Sequence, residues 1–274
     1  MLVKGNSGFG IELVDEVTIR KSGSGRGGDR LKRQIEKQSL FNRQFQHERI
    51  RTPNIFRTSA SAGVFYADME FVTAKDFIQF LSEADRAALD DFSTVMLGFI
   101  SRNLDSSRVV EVSGEIRKKL DELAAKSVPP TYLTAAKRLC NQPITVPVGD
   151  CHGDLTLSNI LFKGSTFYLI DFLDCYVESP LQDIAKLRQD TQFFWSLQLY
   201  QADFNWPRIQ IALHYLDRQI EAAFQSFDWY HRHYQLFQFV NFMRLMPYCV
   251  ENKTRELVIR ALDGMLIQLT REVA

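Results

Sequence analysis

Apolar and polar residues alternate at Ile11/Leu13 and again at Val17/Ile19, with Asp15-Glu16 between the two runs. A period of two puts successive side chains on opposite faces of a strand, so this stretch predicts a hairpin of Ile11–Val14 with Val17–Lys21. Ser22–Gly28 (SGSGRGG) reads as a flexible connector. From Asp29 the period lengthens. Leu31, Ile35, Leu40 and Phe41 predict a helix through RLKRQIEKQSLFNRQF, with Asp29 as its cap and Thr52-Pro53 beyond its end. Strand character returns at Asn54–Ser59 and Val64–Val72. After that the chain is mostly helical by spacing: Asp76–Leu81, Asp85–Ser101, Val109–Lys126, Thr131–Asn141, Leu181–Tyr200, Arg208–Phe227, Trp229–Met246 and Lys253–Glu272. Pro129-Pro130, Pro143 and Pro147 interrupt the series, and no solenoid-length repeat appears. The pattern predicts an α+β chain of two lobes: a small β-rich lobe with one helix at residues 1–72, and a larger helical lobe at residues 73–274.

One stretch breaks the helical run. Val148–Asp174 reads VGDCHGDLTLSNILFKGSTFYLIDFLD. His152, Asp154 and Asn159 share one short segment. Ile160–Phe162, a Lys163-Gly164-Ser165 turn and Phe167–Ile170 then predict a β-hairpin that leads to Asp171. Phosphoryl transfer needs a carboxylate for the acceptor hydroxyl, oxygen ligands for a metal on the nucleotide phosphates, and a cation for the developing charge. Carboxylate and carboxamide oxygens suit magnesium.

Composition narrows the classes. Lys plus Arg and Asp plus Glu both number 33 in 274 residues, so the chain lacks the positive charge of a dedicated nucleic-acid binder. The 21 phenylalanines supply core. Cys140, Cys151, Cys175 and Cys249 form no CxxC pair and read as neither a zinc site nor a disulfide framework. No signal-peptide core or membrane-spanning apolar run is evident, so the expected location is cytoplasmic.

His152-Gly153-Asp154 with Asn159, followed by Ile170-Asp171-Phe172, resembles the H-G-D-x-x-x-x-N … I-D-F pattern of aminoglycoside phosphotransferases and choline kinase-like proteins. Ser179–Ala185 resembles the segment that follows the metal-binding Asp in that family. The resemblance implies a bilobal protein kinase-like fold and a kinase that uses ATP and Mg²⁺ to phosphorylate a small-molecule hydroxyl. It implies Asp154 as catalytic base, Asn159 and Asp171 as metal ligands, and His152 and Asp183 as supports of the catalytic loop. Asp174 stands between a metal-shell or substrate-facing carboxylate and a solvated loop acid.

In the N-terminal lobe the resemblance implies a glycine-rich phosphate loop at Gly5, Ser7, Gly8 and Gly10, although it is no Walker A loop. A strand cation should follow. Arg20 and Lys21 both fit, with Lys21 preferred because a compact ammonium suits pairing to a helix carboxylate. Glu36 is the best partner, with Gln34 as the alternative. Backbone around Glu70–Val72 would meet adenine. On the acceptor side, Lys186, Arg188 and Arg244 follow the motif, and an Arg there can bind phosphate or carboxylate. The later helices carry no concentrated acidic run to match a polycationic aminoglycoside, so a sugar or glycan precursor is the expected acceptor. The alternatives are a non-catalytic nucleotide-binding pseudokinase and a protein kinase. The intact Asp154/Asn159/Asp171 set opposes the first. The Leu173-Asp174 that follows Asp171-Phe172, in place of Gly, opposes the second.

Overall fold

The computed structural model describes residues 8–45, 47–126, 128–249 and 251–272, with side chains described up to residue 269. Gly5 and Ser7 therefore lie outside the described residues. In chain order the elements are β1 (Gly10–Leu13), β2 (Thr18–Ser24), α1 (Gly25–Gln44), β3 (Ile50–Arg51), β4 (Ile55–Ser61), β5 (Val64–Glu70), α2 (Phe77–Glu83), α3 (Arg86–Asp105), β6 (Arg108–Glu111), α4 (Ser113–Ala124) and α5 (Pro130–Leu139). Then come β7 (Thr145–Val148), a 3-10 turn (Leu157–Asn159), β8 (Ile160–Lys163), β9 (Thr166–Leu169), α6 (Pro180–Thr191), α7 (Trp195–Gln198), α8 (Trp206–Phe224), α9 (Asp228–Leu245) and α10 (Asn252–Glu272).

The chain divides into two compact units. One is Met1–Ala84 with Leu157–Asp174, and the other is Asp85–Thr156 with Cys175–Ala274. This differs from a single cut after residue 72. The β8–β9 hairpin belongs with the first unit because β9 pairs in parallel with β3, and Lys75 exchanges backbone hydrogen bonds with Phe162.

In the first unit an antiparallel sheet has the order β1-β2-β5-β4. The alternation of β2 places Ile19 on the face that meets α1. There Phe9, Leu31, Ile35, Ala67 and Met69 form a small core, joined by Ile19, Ile55 and Phe65. The SGSGRGG segment is not a connector. Ser22, Gly23 and Ser24 continue β2 as far as Val64 on β5, and Gly25–Gly28 form the first turn of α1. The reason is close backbone approach. A Cβ on Gly28 would stand 2.8 Å from the Gly23 carbonyl oxygen, and one on Gly23 would stand 2.9 Å from the Gly27 carbonyl. Asp29 accordingly sits inside the helix, and Ser24 holds the cap position without a side-chain hydrogen bond.

In the second unit two further expectations shift. Arg108–Glu111 is a strand paired antiparallel with Thr145–Val148, so only Ser113–Ala124 of the predicted Val109–Lys126 helix is helical. The adjacent β-branched Val109 and Val110 favour the pleated ladder over a helix. The predicted Leu181–Tyr200 helix breaks at Phe194, whose φ of 58° is left-handed, giving α6 and the short α7. Every residue of α6 is buried, and the helix packs against α3, α8 and α9.

Gly28→Ala is expected to lower stability by about 1–3 kcal/mol, because the new methyl would meet backbone. Gly27→Ala, in the same turn with open space at its Cβ, should be neutral or stabilising by about 0.4–1 kcal/mol. Urea unfolding of the two variants checks this. Equal behaviour would remove close packing as the reason for the glycines.

Candidate active site

Asp183 organises the HGD loop. It lies in the first turn of α6, fully buried. Its two carboxylate oxygens accept the backbone N–H groups of His152 and Gly153, each at 2.7 Å. Gly153 has φ 91°, a conformation that glycine adopts without strain. Buried His152 turns its Nδ1 back to accept the Asp154 N–H at 3.2 Å. His152 and Asp183 thus both act on the loop itself.

The loop presents Asp154 against Lys186, which lies one helical turn beyond Asp183 on α6. The Lys186 ammonium is 3.0 Å from Asp154 Oδ1, with side-chain exposures of 7% and 30%. Burial pushes the Asp154 carboxyl up. Lys186, assisted by Arg244 and His152, outweighs this and holds it below the ordinary carboxylate range. Asp154 is therefore ionised at neutral pH and still reachable from solvent. Arg244 on α9 donates to Asn241 at 2.9 Å and lies over the Tyr176 ring, 5.4 Å from its centroid.

The first unit carries the other candidates. Asn159 ends the 3-10 turn, and its backbone carbonyl accepts the Ile170 N–H at 3.0 Å. This bond closes the β8–β9 hairpin just before Asp171. Asp171 has φ 62°, an uncommon backbone state for a non-glycine residue, and the next residue, Phe172, is fully buried against Phe41. Asp171 forms a close ion pair with Lys21.

This separates the two strand cations. Alternation along β2 sends neighbouring side chains to opposite faces. Lys21 meets Asp171, whereas Arg20 makes a two-point pair with Asp68 at 2.6 and 2.9 Å. Arg57 also binds Asp68, at 2.9 Å. Hydrogen bonding to Arg20, aided by Arg57, holds the Asp68 carboxyl low despite its burial.

The expected pairing of Lys21 with Glu36 differs, and the other candidates have the following neighbours. Glu36 does not meet Lys21: it is exposed, 4.0 Å from Lys32 on the same helix, while Gln34 points into the interior. Asp174 accepts a hydrogen bond from Arg33 at 2.9 Å, so a helix α1 cation occupies the carboxylate. Glu70 binds Asn54 through its side chain at 2.9 Å. The next backbone N–H, of Phe71, donates to Val17 at 2.7 Å, and Val72 is buried. Gly8 is left-handed at φ 76°, and Gly10 pairs with Ser22 across the β1–β2 ladder.

Arg188 is not placed as a substrate contact. It is buried, bound to Asp217 through two hydrogen bonds of 2.9 Å, in close contact with Glu221 and the Tyr230 hydroxyl, and stacked under Tyr234 at 4.7 Å. Its donors already serve α8 and α9. The ion pair of Asp154 with Lys186 was not foreseen. The one available signal was the i, i+3 spacing of Asp183 and Lys186, which puts both side chains toward the same side of α6.

The family model described as "Phosphotransferase enzyme family" matches residues 26–211, which is more than half of the chain. The chain belongs to the phosphotransferase enzyme family. Its fold is the aminoglycoside phosphotransferase form of the protein kinase-like fold. No curated protein matches it in sequence. Among solved structures it is similar to the GDP complex of wild-type aminoglycoside 2'-phosphotransferase-IIIa, at 15% identity and TM-score 0.68, over 97% of this chain and 92% of that one. It is also similar to a thermostable mutant of aminoglycoside phosphotransferase APH(4)-Ia in ternary complex with ADP and hygromycin B. There the identity is 11% and the TM-score 0.62, over 99% of this chain and 92% of that one. A third likeness is to APH(3'')-Id from Streptomyces rimosus with ADP and streptomycin, at 15% identity and TM-score 0.51, over 90% of this chain and 94% of that one. At these identities the likeness is one of fold. The α+β expectation is met. Among the described residues no helix is long and apolar enough to cross a membrane.

Arg188→Lys is expected to cost about 3 kcal/mol of stability, since a point charge cannot replace the two-point pair with Asp217. The urea midpoint should fall while KM for the acceptor stays unchanged. A raised KM at unchanged stability would instead return Arg188 to the substrate side.

Proposed function

We propose that this phosphotransferase moves the γ-phosphoryl group of ATP to a hydroxyl of a small, polyhydroxylated acceptor, a sugar or glycan precursor. One observation carries the reading: an ionised, solvent-reachable Asp154 on a loop pinned by Asp183 and charge-matched by Lys186. Asp154 orients the acceptor hydroxyl and takes its proton as the new O–P bond forms and the bond to the leaving ADP breaks. The Lys186 ion pair positions the carboxylate and keeps it ionised.

The residues of the first unit fit a hard divalent cation on a triphosphate. Asp171 and Asn159 offer oxygen donors, and the Asp171 carboxylate already holds a cation, the Lys21 ammonium. Asp171 and Asn159 would hold Mg²⁺, which when bound would neutralise charge on the nucleotide phosphates. Lys21 is the candidate for the α/β-phosphates, because Arg20 is engaged with Asp68. Gly8 and Gly10, and the backbone near Glu70 and Val72, remain candidates for phosphate and adenine contact. Bound GDP or ADP in the solved relatives supports a purine nucleotide. The electrostatics around Asp154 favour an acceptor without several amines, since Lys186 and Arg244 both act on that carboxylate as cations.

Asp154→Asn should lower acceptor-dependent ADP release by about 10²–10⁴-fold while nucleotide binding survives. The assay screens sugars, amino alcohols and aminoglycosides as acceptors. Full turnover in this variant would remove Asp154 as the base, and an exclusive response to aminoglycosides would remove the sugar reading. Lys186→Met leaves burial to dominate Asp154 and raises its pKa. The acidic limb of the kcat profile should then move up by about 1–3 pH units. A profile that merely scales down, with its limb in place, would make Lys186 a packing residue only.

A further inference from the structure

Two cysteines that are distant in sequence meet beside the catalytic loop. Cys151 directly precedes His152, and Cys175 directly follows Asp174. In the second unit the ligand atoms of Cys151, Cys175 and Glu178 all lie within 4.8 Å of one another. Neither cysteine is in a disulfide. Glu178 is already aimed at both: its Oε2 lies 3.1 Å from Cys151 Sγ, and its Oε1 accepts the Cys175 N–H at 2.8 Å. The Glu178 carbonyl accepts the Gly149 N–H at 2.9 Å, which fixes this segment against the strand that enters the loop. Cys151 is buried and Cys175 is half-buried, so the cluster has a sheltered side and an accessible one.

We propose that Cys151, Cys175 and Glu178 form a binding site for a thiophilic divalent cation of the zinc class. Two thiolates and a carboxylate suit zinc or cobalt and do not suit magnesium, which prefers oxygen alone. Tetrahedral bonds of about 2.3 Å to sulfur require sulfur atoms about 3.8 Å apart, so the cluster has to contract by no more than about 1 Å. Binding releases the two thiol protons to solvent, leaves a fourth position for water, and joins the residue before His152 to the residue after Asp174. The metal would therefore brace the catalytic loop in addition to Asp183.

The test is Co²⁺ titration of the reduced, metal-stripped full chain, read by absorption. Wild type should take one equivalent and develop a thiolate-to-cobalt charge-transfer band that Zn²⁺ abolishes. Cys175→Ser should lose the band, Glu178→Gln should weaken Co²⁺ binding by about tenfold or more, and Cys249→Ser should match wild type. Circular dichroism establishes that each variant is folded, and Glu178→Gln carries the test if Cys175→Ser is not. The proposal is overturned if wild type shows no charge-transfer band with Co²⁺ in large excess. It is equally overturned if the band persists at full strength in folded Cys175→Ser, or if Glu178→Gln binds Co²⁺ as wild type does.

Discussion

Two hydrogen bonds into a buried carboxylate hold the His152–Asp154 loop in its shape. Asp183 has no access to water, and a buried charge is tolerated only when hydrogen bonds or counter-charge replace solvation. The N–H groups of His152 and Gly153 supply those bonds and are themselves satisfied by them. The left-handed Gly153 follows from this arrangement, as does the return of His152 Nδ1 to the Asp154 N–H. Asp154 therefore owes its place to a residue 29 positions later in the chain.

The same logic extends along α6. It is a fully buried helix that is not apolar, and several of its polar side chains are matched to partners on other elements. Lys186 meets Asp154, Arg188 meets Asp217, and Thr191 donates to Asp217 at 2.8 Å. Asp190 receives the N–H and hydroxyl of Ser196, at 2.8 and 3.0 Å, and Gln182 donates to Asn241 at 2.7 Å. Such pairs add little net stability over apolar packing, but losing one partner strands a buried charge. They specify one arrangement of the helices around the loop. One face of α6 thus serves the Asp154 carboxylate, and another ties α8 and α9 together through Arg188.

Local chemistry made much of the site legible. The β8–β9 hairpin and the candidate residues around it, Asp154, Asn159 and Asp171, could be read because short-range spacing decides them, whereas the role of Asp183 was implied only by the family resemblance, since it meets His152 from 31 positions away. The errors were of two kinds. Ser22–Gly28 has the composition of a linker, yet its glycines are there because two backbone segments approach within contact distance. Arg188 and Glu36 are ordinary charged residues in sequence. The partner of Arg188 lies far along the chain, and that of Glu36 lies on its own helix at the surface.

The sequence by itself determined the family pattern and the α+β character, and it made Asp154, Asn159 and Asp171 the candidates for the site, because these depend on residue type at close spacing. Only the tertiary structure decided which cation serves which acid: Lys21 with Asp171, Arg20 with Asp68, Lys186 with Asp154. It also decided that Cys151, Cys175 and Glu178 come together. An ion pair or a ligand cluster is a matter of a few ångströms between side chains, and residues far apart in the chain reach that distance only once backbone pairing and core packing have set their positions.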